Sequence, residues 1–425
     1  MNVHASRLRL LTPLRRRDFG LLWIGAAVSL LGDGIYFVAI AWQAYELSNA
    51  PTALSLVGVA WTLPTVVFLL FGGAISDRLE RRRVLIAASA TEALAIGVIG
   101  VLSVSGHLEL WMLLVPVAVY GAAEAFFLPA FEAIVPTLVP PDDYTAAAAL
   151  DNFMRPLAMQ LVGPAVGGIL VALASPGVAF LVDAATFLVA VCALSMMRPG
   201  HRPAAGAKSA REAIGEIAEG FRFVRANAWL WGTLGAACLS LLAYFGPYQV
   251  LVPYLVKNSL HGGGAMFGAI RAAGGVGAIL SAAAIAQAGL PRRCVSLMFA
   301  AWSIEALLLV GFAVASGAWV FALIALVSGG LAAAGNVVWG TLMKALVPNE
   351  MLGRVSSFDW LVSIGLIPLS FAITGPIAEA IGAETTLVLA GVIGAIATIS
   401  FLAVPGVRSP ERELSGLVAP VASET

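Results

Sequence analysis

Long apolar stretches separated by short polar loops make up most of the chain. Twelve of these stretches reach the length of about 20 predominantly apolar residues that a helix needs to cross a membrane. They lie near residues 19–45, 53–75, 84–105, 109–133, 147–172, 176–197, 229–255, 264–287, 294–315, 318–342, 356–381 and 385–405. Each stretch is continuous and does not alternate between apolar and polar residues, so its backbone groups must be satisfied within a helix. The pattern therefore predicts an all-α membrane protein with twelve spans.

The composition excludes a soluble globular protein. Of the 425 residues, 60% are hydrophobic and 11% are charged, whereas soluble domains contain about 25% charged residues. The 24 basic residues balance the 24 acidic ones, so no net charge favours a nucleic-acid partner. The cysteines Cys192, Cys238 and Cys294 form no pattern with the four histidines. Neither a disulfide framework nor a metal site is predicted.

The basic residues lie almost entirely on one side of the predicted membrane. Of the 24, 21 fall in the N-terminus, in the loops after every second span and in the C-terminal tail. Lys257 alone falls on the opposite side, while Arg155 and Arg271 lie inside spans. Because Lys and Arg are enriched in cytoplasmic loops, both termini are predicted to be cytoplasmic.

The longest loop predicts the domain organisation, because it leaves six spans on each side. We expect an N-terminal six-helix bundle at residues 1–197, a cytoplasmic linker at 198–228, a C-terminal six-helix bundle at 229–405 and a cytoplasmic tail at 406–425. Within the linker, apolar residues at helical spacing lie opposite charged ones, which predicts an amphipathic helix. Its apolar face consists of Ile214, Ile217, Phe221 and Val224.

The two halves contain a weak repeat at an offset of 208 residues. LVPPDDYTAAAALD, at 138–151, corresponds to LVPNEMLGRVSSFD, at 346–359. Both segments join a fourth span of their half to a fifth, which favours an internal duplication. Repeats of six helices are typical of many secondary transporters.

The loop after the second span contains the spacing G-x-x-x-D-R-x-x-R-R, formed by Gly73, Asp77, Arg78, Arg81 and Arg82. This loop resembles the signature loop of the major facilitator superfamily, although Glu80 replaces the second glycine of the family. The resemblance implies that Asp77 caps a helix of the other half, since a helix N-terminus attracts an anion. The five residues would then form a conformational latch on the cytoplasmic side. The alternative is that the arginines only set the topology.

The fifth span contains the pattern G-P-x-x-G-G, formed by Gly163, Pro164, Gly167 and Gly168. It resembles the antiporter signature of the same superfamily, which implies an exporter that exchanges protons for substrate. Small residues allow helices to approach closely, and proline permits bending. The alternative is close helix packing without a role in antiport.

Three further segments, SLLGDGIYFVAIAW, LVPPDDY and IPLSFAITGPIAEAIG, resemble the bacterial twelve-helix branch that includes macrolide efflux proteins, siderophore exporters and lysophospholipid transporters. The resemblance implies the major facilitator fold, with two pseudo-symmetric six-helix bundles, in the bacterial cytoplasmic (inner) membrane. It also implies a proton gradient as energy source without a cofactor, a small-molecule substrate, contact with membrane lipids and a monomeric state.

Charged groups inside spans are candidates for function, because they are costly to insert into a membrane. The acids well inside spans are Asp33, Glu92, Glu124, Asp183 and Glu305. In the family architecture, spans 1, 4, 7 and 10 line the cavity, so the resemblance favours Asp33 and Glu124 as proton-coupling or substrate-binding residues. A carboxyl group there can exchange a proton for a cationic substrate. The alternative for both is helix packing, and the roles of Glu92 and Glu305 stay open.

Two arginines inside spans extend the candidate site. Arg271 has no acidic neighbour on its own span, so it could repel cations, bind an anionic substrate, or pair with Asp183 or Asp33. Arg155 lies four residues after Asp151, which predicts an ion pair on one helix face. That pair has either a structural or a gating role. Aromatic residues on spans 1, 4 and 7 are the rings expected to contact a substrate, which leaves out Trp61 on span 2.

These observations favour a secondary active transporter that exports a hydrophobic drug-like or siderophore-like molecule in exchange for protons by alternating access. One alternative is a transporter of a lipid or metabolite without proton antiport, and another is a non-transporting membrane sensor or partner protein. An enzyme is not expected, because the sequence lacks H-E-x-x-H and G-x-S-x-G motifs. It also lacks a Walker loop, so ATP is not predicted to be the direct energy source.

Overall fold

The structure, a computed structural model, describes residues 11–76, 79–199 and 210–418. Over these ranges the chain forms helices and no strand, and twelve helices are long and apolar enough to cross a membrane. The predicted all-α fold with twelve spans is confirmed. The protein is a multi-pass membrane protein.

The spanning helices are numbered α1 to α12 in chain order. Their bounds are Arg17–Leu47, Pro51–Ser76, Arg81–Val104, Leu110–Leu138, Pro141–Leu173 and Pro176–Ser195 for α1 to α6. For α7 to α12 they are Ala228–Asn258, Gly264–Ala288, Cys294–Val314, Ala318–Leu346, Glu350–Ile381 and Ala383–Ser400. A linker helix at Ala210–Ala226 lies between α6 and α7, within the predicted linker.

Helix α5 is not a uniform α-helix. It consists of an α-helical segment at Tyr144–Arg155, a π-helical turn at Pro156–Val162 and a second α-helical segment at Gly163–Leu173. Pro156 has no N–H to donate to the preceding turn, which favours a change of helix type at this point. π-helical turns occur frequently at functional sites. The apolar pattern predicted one continuous span here and did not reveal the turn.

Helix α11 is also interrupted, near the middle of its length. Its two segments are Asn349–Gly365 and Ile367–Ile381, and Leu366 lies between them. Pro368 cannot donate the backbone hydrogen bond that would continue the first segment, but it is well suited to the first turn of the second. The helix also begins before residue 356, where the apolar pattern placed its start.

The chain divides into two compact units. The first comprises Met1–Ala207 and Pro253–Gly275, and the second comprises Lys208–Val252 and Val276–Thr425. In the first unit, α6 packs against α1 and α3, α4 packs against α2 and α3, and α5 packs against α1. In the second unit, α9 packs against α10 and α12, and the linker helix packs against α11. The four segments into which the sequence divides the chain stay a prediction.

Candidate functional site

Three consecutive residues of α1 contact three different helices of the first unit. A Cβ atom added to Gly32 would lie 2.2 Å from Asp183 Oδ1 on α6. A Cβ atom added to Gly34 would lie 2.8 Å from the Cα atom of Gly163 on α5. Such distances are too short for real Cβ atoms. Gly34 meets backbone atoms of α5, so that position requires glycine, whereas at Gly32 the buried side chains of Asp183 and Thr186 would have to shift. Asp33 lies between these two close contacts.

The Asp33 side chain extends to α4. The hydroxyl group of Tyr120 donates a hydrogen bond of 2.7 Å to Asp33 Oδ1. This bond fixes the position of the Asp33 carboxyl group. Asp33 is only half-buried, so the carboxyl group is not fully enclosed by the protein. This geometry suits a group that must exchange a proton or a ligand.

Glu124 is held in a similar way, by a residue of α2. The indole N–H of Trp61 donates a hydrogen bond of 2.8 Å to Glu124 Oε2, and Glu124 is also half-buried. An indole N–H can only donate, so it fixes the orientation of this carboxyl oxygen as an acceptor. Asp33 and Glu124 are thus each positioned by one donor from a neighbouring helix.

Aromatic rings surround the two half-buried acids. Tyr36 stacks on Tyr120 with ring centroids 5.2 Å apart, and Phe37 meets Trp61 edge-to-face at 5.2 Å. Tyr36 and Tyr120 are buried, so of these four rings only the half-buried Phe37 and Trp61 offer apolar surface, and the faces of such rings attract cations. The site therefore combines carboxyl groups with aromatic surface, a chemistry that suits hydrophobic cations.

Arg155 ends the first segment of α5, immediately before the π-helical turn. Its Nη2 atom lies 3.7 Å from Asp151 Oδ1, so the two residues expected to pair are in contact. Arg155 also lies within electrostatic range of Asp33 and Glu124. The positive charge of Arg155 therefore acts both on Asp151 of its own helix and on the two acids of the candidate site.

Two further acids of the first unit lie deeper. Glu92 on α3 is 4% exposed and Asp183 on α6 is 0% exposed. Both act electrostatically on the residues around Asp33 and Glu124. The unit therefore contains four acids in one neighbourhood, two half-buried and two fully buried.

The glycines of the antiporter-like pattern make close contacts on two faces of α5. A Cβ atom on Gly163 would lie 2.6 Å from Gly34 Cα, and one on Gly167 would lie 2.9 Å from Ile35 Cα, both on α1. A Cβ atom on Gly168 would lie 3.0 Å from Gly268 Cα on α8. Pro164, like the three glycines, is buried. The pattern thus lets α5 pack closely on α1 and α8, next to Asp33.

Part of the predicted latch lies outside the described residues, namely Asp77 and Arg78. Gly73 lies in α2. Arg81 Nη1 donates to the carbonyl oxygen of Ala133 on α4 at 2.8 Å. Arg82 donates to the carbonyl oxygens of Leu194 and Ser195, at 2.8 and 2.6 Å. These last carbonyls of α6 attract a cation, so Arg82 joins α3 to α6 within the first unit.

Two other candidate residues lie away from this set. Arg271 is half-buried on α8, in the stretch that belongs to the first unit. Glu305 lies on α9 of the second unit, where its carboxyl group meets the hydroxyl group of Tyr244. Tyr244 also lies 3.1 Å from Ser328 Oγ and stacks on Tyr248. Among the residues that the structure describes, no group of His, Cys, Asp and Glu could hold a metal ion.

The C-terminal ends of α1 and α7 are joined by several contacts within the first unit. Lys257 Nζ donates to the carbonyl oxygen of Tyr45, and the rings of Tyr45 and Tyr254 pack edge-to-face at 5.6 Å. Asn49 Nδ2 donates to Asn258 Oδ1 at 2.7 Å. A lysine ammonium is favourable at a helix C-terminus. These contacts hold together the ends of the two helices.

The whole chain matches a known family. A family model described as a transmembrane secretion effector, of the major facilitator type, covers residues 9–417. The chain belongs to this family. It is therefore a transporter of the major facilitator type and not an enzyme.

Relatives of known name are efflux proteins. Macrolide efflux protein A of Streptococcus pyogenes is 23% identical over 88% of this chain and 93% of its own length. The multidrug efflux pump Tap of Mycolicibacterium fortuitum is 27% identical over 88% of this chain and 93% of its own length. The enterobactin exporter EntS of Escherichia coli O81 is 26% identical over 84% of each chain. The resemblance predicted from the sequence motifs is confirmed.

Solved structures show the same fold. A bacterial homologue of the iron transporter ferroportin in an inward-facing state covers 92% of this chain and 99% of its own, with a TM-score of 0.66 and 15% identity. At this identity the likeness shows the fold alone. The predicted major facilitator fold with two six-helix bundles is confirmed.

Sequence reasoning did not identify two residues that position the candidate acids. No sequence pattern singles out Tyr120, and Trp61 lies on α2, a span that the family architecture does not place at the cavity. A usable signal was present for Trp61, since a polar indole inside an apolar span needs an acceptor. The sequence could not show which acid supplies that acceptor, because Trp61 and Glu124 are 63 residues apart.

Proposed function

We propose that this protein exports a hydrophobic, drug-like molecule across the bacterial cytoplasmic membrane in exchange for protons, by alternating access. The observation that carries the proposal is the pair of half-buried carboxyl groups inside the membrane, Asp33 and Glu124. Each is oriented by one donor from another helix. Groups that only stabilised the packing would be expected to be fully buried and fully hydrogen-bonded.

The charge of the site favours a positively charged substrate. Asp33 and Glu124 are half-buried acids of one neighbourhood in the first unit, and Arg155 is a cation within range of both. An anion would meet mostly like charge, whereas a lipophilic cation gains from both the carboxyl groups and the rings. Names of the relatives, a macrolide efflux protein and a multidrug efflux pump, are consistent with drug-like molecules.

Exchange requires that proton and substrate compete for the same carboxyl groups. A proton entering from outside neutralises Asp33 or Glu124 and releases the cation there. Loss of that proton to the cytoplasm restores the negative charge, and the next cation binds. Both termini are cytoplasmic in this scheme, because 21 of the 24 basic residues lie on their side of the membrane.

Alternating access is supported by the packing of α5 and by the contacts at the end of α1. The glycines of α5 lie against the α1 backbone next to Asp33, so a shift of either helix alters the surroundings of this acid. The bond from Lys257 to Tyr45 closes the outer ends of α1 and α7. Opening to the outside must break it.

Transport in proteoliposomes tests the proposal. An imposed pH gradient should drive accumulation of ethidium, a lipophilic cation, and a protonophore should abolish it. Asp33→Asn and Glu124→Gln remove a titrating charge with little change of volume, and at least one should uncouple accumulation from the gradient. Asp359→Asn is the matched control, because Asp359 is an acid inside α11 of the second unit. Wild-type transport that ignores the protonophore would refute proton exchange.

A further inference from the structure

Asp183 has a different environment from the half-buried acids of the first unit, Asp33 and Glu124. It is 0% exposed, and its Oδ1 atom lies against the α1 backbone at Gly32. Its Oδ2 atom is buried and has no hydrogen-bond partner among the described residues. A buried carboxylate oxygen without a donor is costly, and especially so inside a membrane.

The nearest hydroxyl group does not compensate Asp183 fully. Thr186 Oγ1 donates to the backbone carbonyl oxygen of Asp183 at 2.7 Å and lies 3.3 Å from Asp183 Oδ1. A threonine hydroxyl has a single hydrogen to donate, and the shorter contact is to the backbone. Asp183 therefore has at most a shared donor on one oxygen and none on the other.

Asp33 and Glu124 differ on this point. Each has a short bond, of 2.7 and 2.8 Å, from a side chain that donates to its carboxyl oxygen. Both are half-buried, whereas Asp183 is sealed by α1. Asp33 and Glu124 are thus positioned to accept hydrogen bonds as carboxylates, whereas the surroundings of Asp183 favour a protonated carboxyl group.

We infer that Asp183 is a proton-binding site separate from Asp33 and Glu124, and that it holds a proton in the conformation described. The inference rests on the proposed proton exchange for its role in transport. Because Asp183 is fully buried and its Oδ1 atom lies against the α1 backbone, proton entry and exit require a movement of the surrounding helices, and a shift of α1 at Gly32 would provide it. One proton bound from outside and released to the cytoplasm at Asp183 would be additional to the proton exchanged at Asp33 and Glu124.

The protonation of Asp183 depends on the charge of the titratable groups around it. Those within electrostatic range are Asp33 and Tyr36 on α1, Glu92 on α3 and Tyr120 on α4. A negative charge on any of these acids favours the neutral form of its neighbours. Loading of Asp33 with a cation would therefore ease the release of a proton from Asp183.

Infrared spectroscopy of the purified protein tests the site without transport. A protonated carboxylic acid has a carbonyl stretch that the carboxylate lacks, and the expected result is a band at neutral pH that Asp183→Asn removes, while any band of the other buried acid, Glu92, stays. Asp359→Asn is the control and should keep the band, since Asp359 accepts a hydrogen bond from Trp339 Nε1 at 3.1 Å. A spectrum unchanged by Asp183→Asn would overturn the inference.

A second variant covers the case in which Asp183→Asn does not fold. Thr186→Val removes the hydroxyl group next to Asp183 with little change of shape, so it should shift the frequency of the Asp183 band. The same band should persist unshifted in Asp33→Asn. A band that Thr186→Val leaves unshifted and Asp33→Asn removes would assign the proton to Asp33 and contradict the inference.

The role in transport has its own measurement. The number of protons exchanged per ethidium should fall about twofold in Asp183→Asn, as expected when one of two protonation sites is lost. An unchanged ratio would exclude Asp183 from the exchange. Wild-type transport that ignores a protonophore would instead refute the proposed function, while the infrared band at Asp183 would remain.

Discussion

The two copies of the internal repeat carry different chemistry at corresponding positions. In the first unit, Asp151 on α5 lies 3.7 Å from the cation of Arg155. In the second, Asp359 on α11 accepts hydrogen bonds from Trp339 at 3.1 Å and Ser363 at 3.4 Å. Arg155 and Ser363 are separated by the repeat offset of 208 residues, as are the two aspartates. The position that carries the positive charge of Arg155 in the first half therefore carries the hydroxyl group of Ser363 in the second.

This difference extends to the acids within each unit. In the first unit, Arg155 acts on Asp33 and Glu124, and four acids influence one another. In the second, Glu305 meets the neutral hydroxyl group of Tyr244. Corresponding segments of the two halves thus differ at a few side chains, and the group of four acids lies in the first unit. The following predictions test whether transport depends more on the charged groups of the first unit than on the corresponding groups of the second.

The largest effect is expected where α5 touches α1. Gly163→Ala places a methyl group 2.6 Å from Gly34 Cα, where neither backbone can give way, and overpacking of this kind costs about 1–3 kcal/mol. Transport should be lost and the melting temperature lowered. Gly365→Ala on α11 is the control, because a Cβ there meets nothing within 4 Å. Equal tolerance of both variants would show that the contact is not required.

Removal of the cation on α5 should have the next largest effect. Arg155→Gln leaves Asp33 and Glu124 without their neighbouring positive charge, so the rate of proton-driven ethidium transport should fall about tenfold, equivalent to about 1.4 kcal/mol. Ser363→Ala removes the corresponding group of the second unit and should change the rate little. A similar loss in both variants would mean that the halves share the coupling.

The two indole–carboxyl pairs allow a more sensitive comparison. Trp61→Phe removes the N–H that orients Glu124 and keeps an aromatic ring, and the loss of a typical hydrogen bond costs about 0.5–1.5 kcal/mol. Ethidium transport should slow several-fold. Trp339→Phe removes the matching donor to Asp359 and should leave the rate close to wild type. The amount of each variant in the membrane should be quantified, so that unequal protein levels do not account for a difference in transport rate.

The smallest effect concerns the arginines at the start of α3. Arg82→Gln loses two bonds to the last carbonyls of α6, and thermal unfolding should show a loss of about 1–2 kcal/mol. Arg83 instead pairs with Glu80 at 2.8 Å and is largely exposed, so Arg83→Gln should cost less than about 1 kcal/mol. Identical melting temperatures for the two variants would contradict a joining role for Arg82.

The fold could be predicted from sequence far more completely than the site. Continuous apolar stretches are sufficient to identify spans, because a membrane requires each one to satisfy its own backbone. They do not reveal the π-helical turn of α5 or the interruption at Leu366, because both depend on local prolines within stretches that stay apolar. Asp33 and Glu124 could be identified because charge is rare inside spans.

Their partners could not be identified in the same way. The bond from Tyr120 to Asp33 joins residues 87 positions apart, and no periodicity relates them. The packing of Gly34 on Gly163 likewise depends on which helices become neighbours. Sequence patterns indicated that Gly163 permits a close approach, but they did not identify the helix that approaches it.

The Gly32–Asp33–Gly34 segment limits how this protein can acquire new substrates. Any side chain at the two glycines would collide with α5 or α6, so natural variants with altered specificity should be absent at these positions. The ring of Phe37 meets the ring of Trp61 edge-to-face, a contact between side chains, which leaves Phe37 more freedom to vary. A laboratory selection for export of a new compound should therefore accumulate changes at Phe37 and keep residues 32–34 constant.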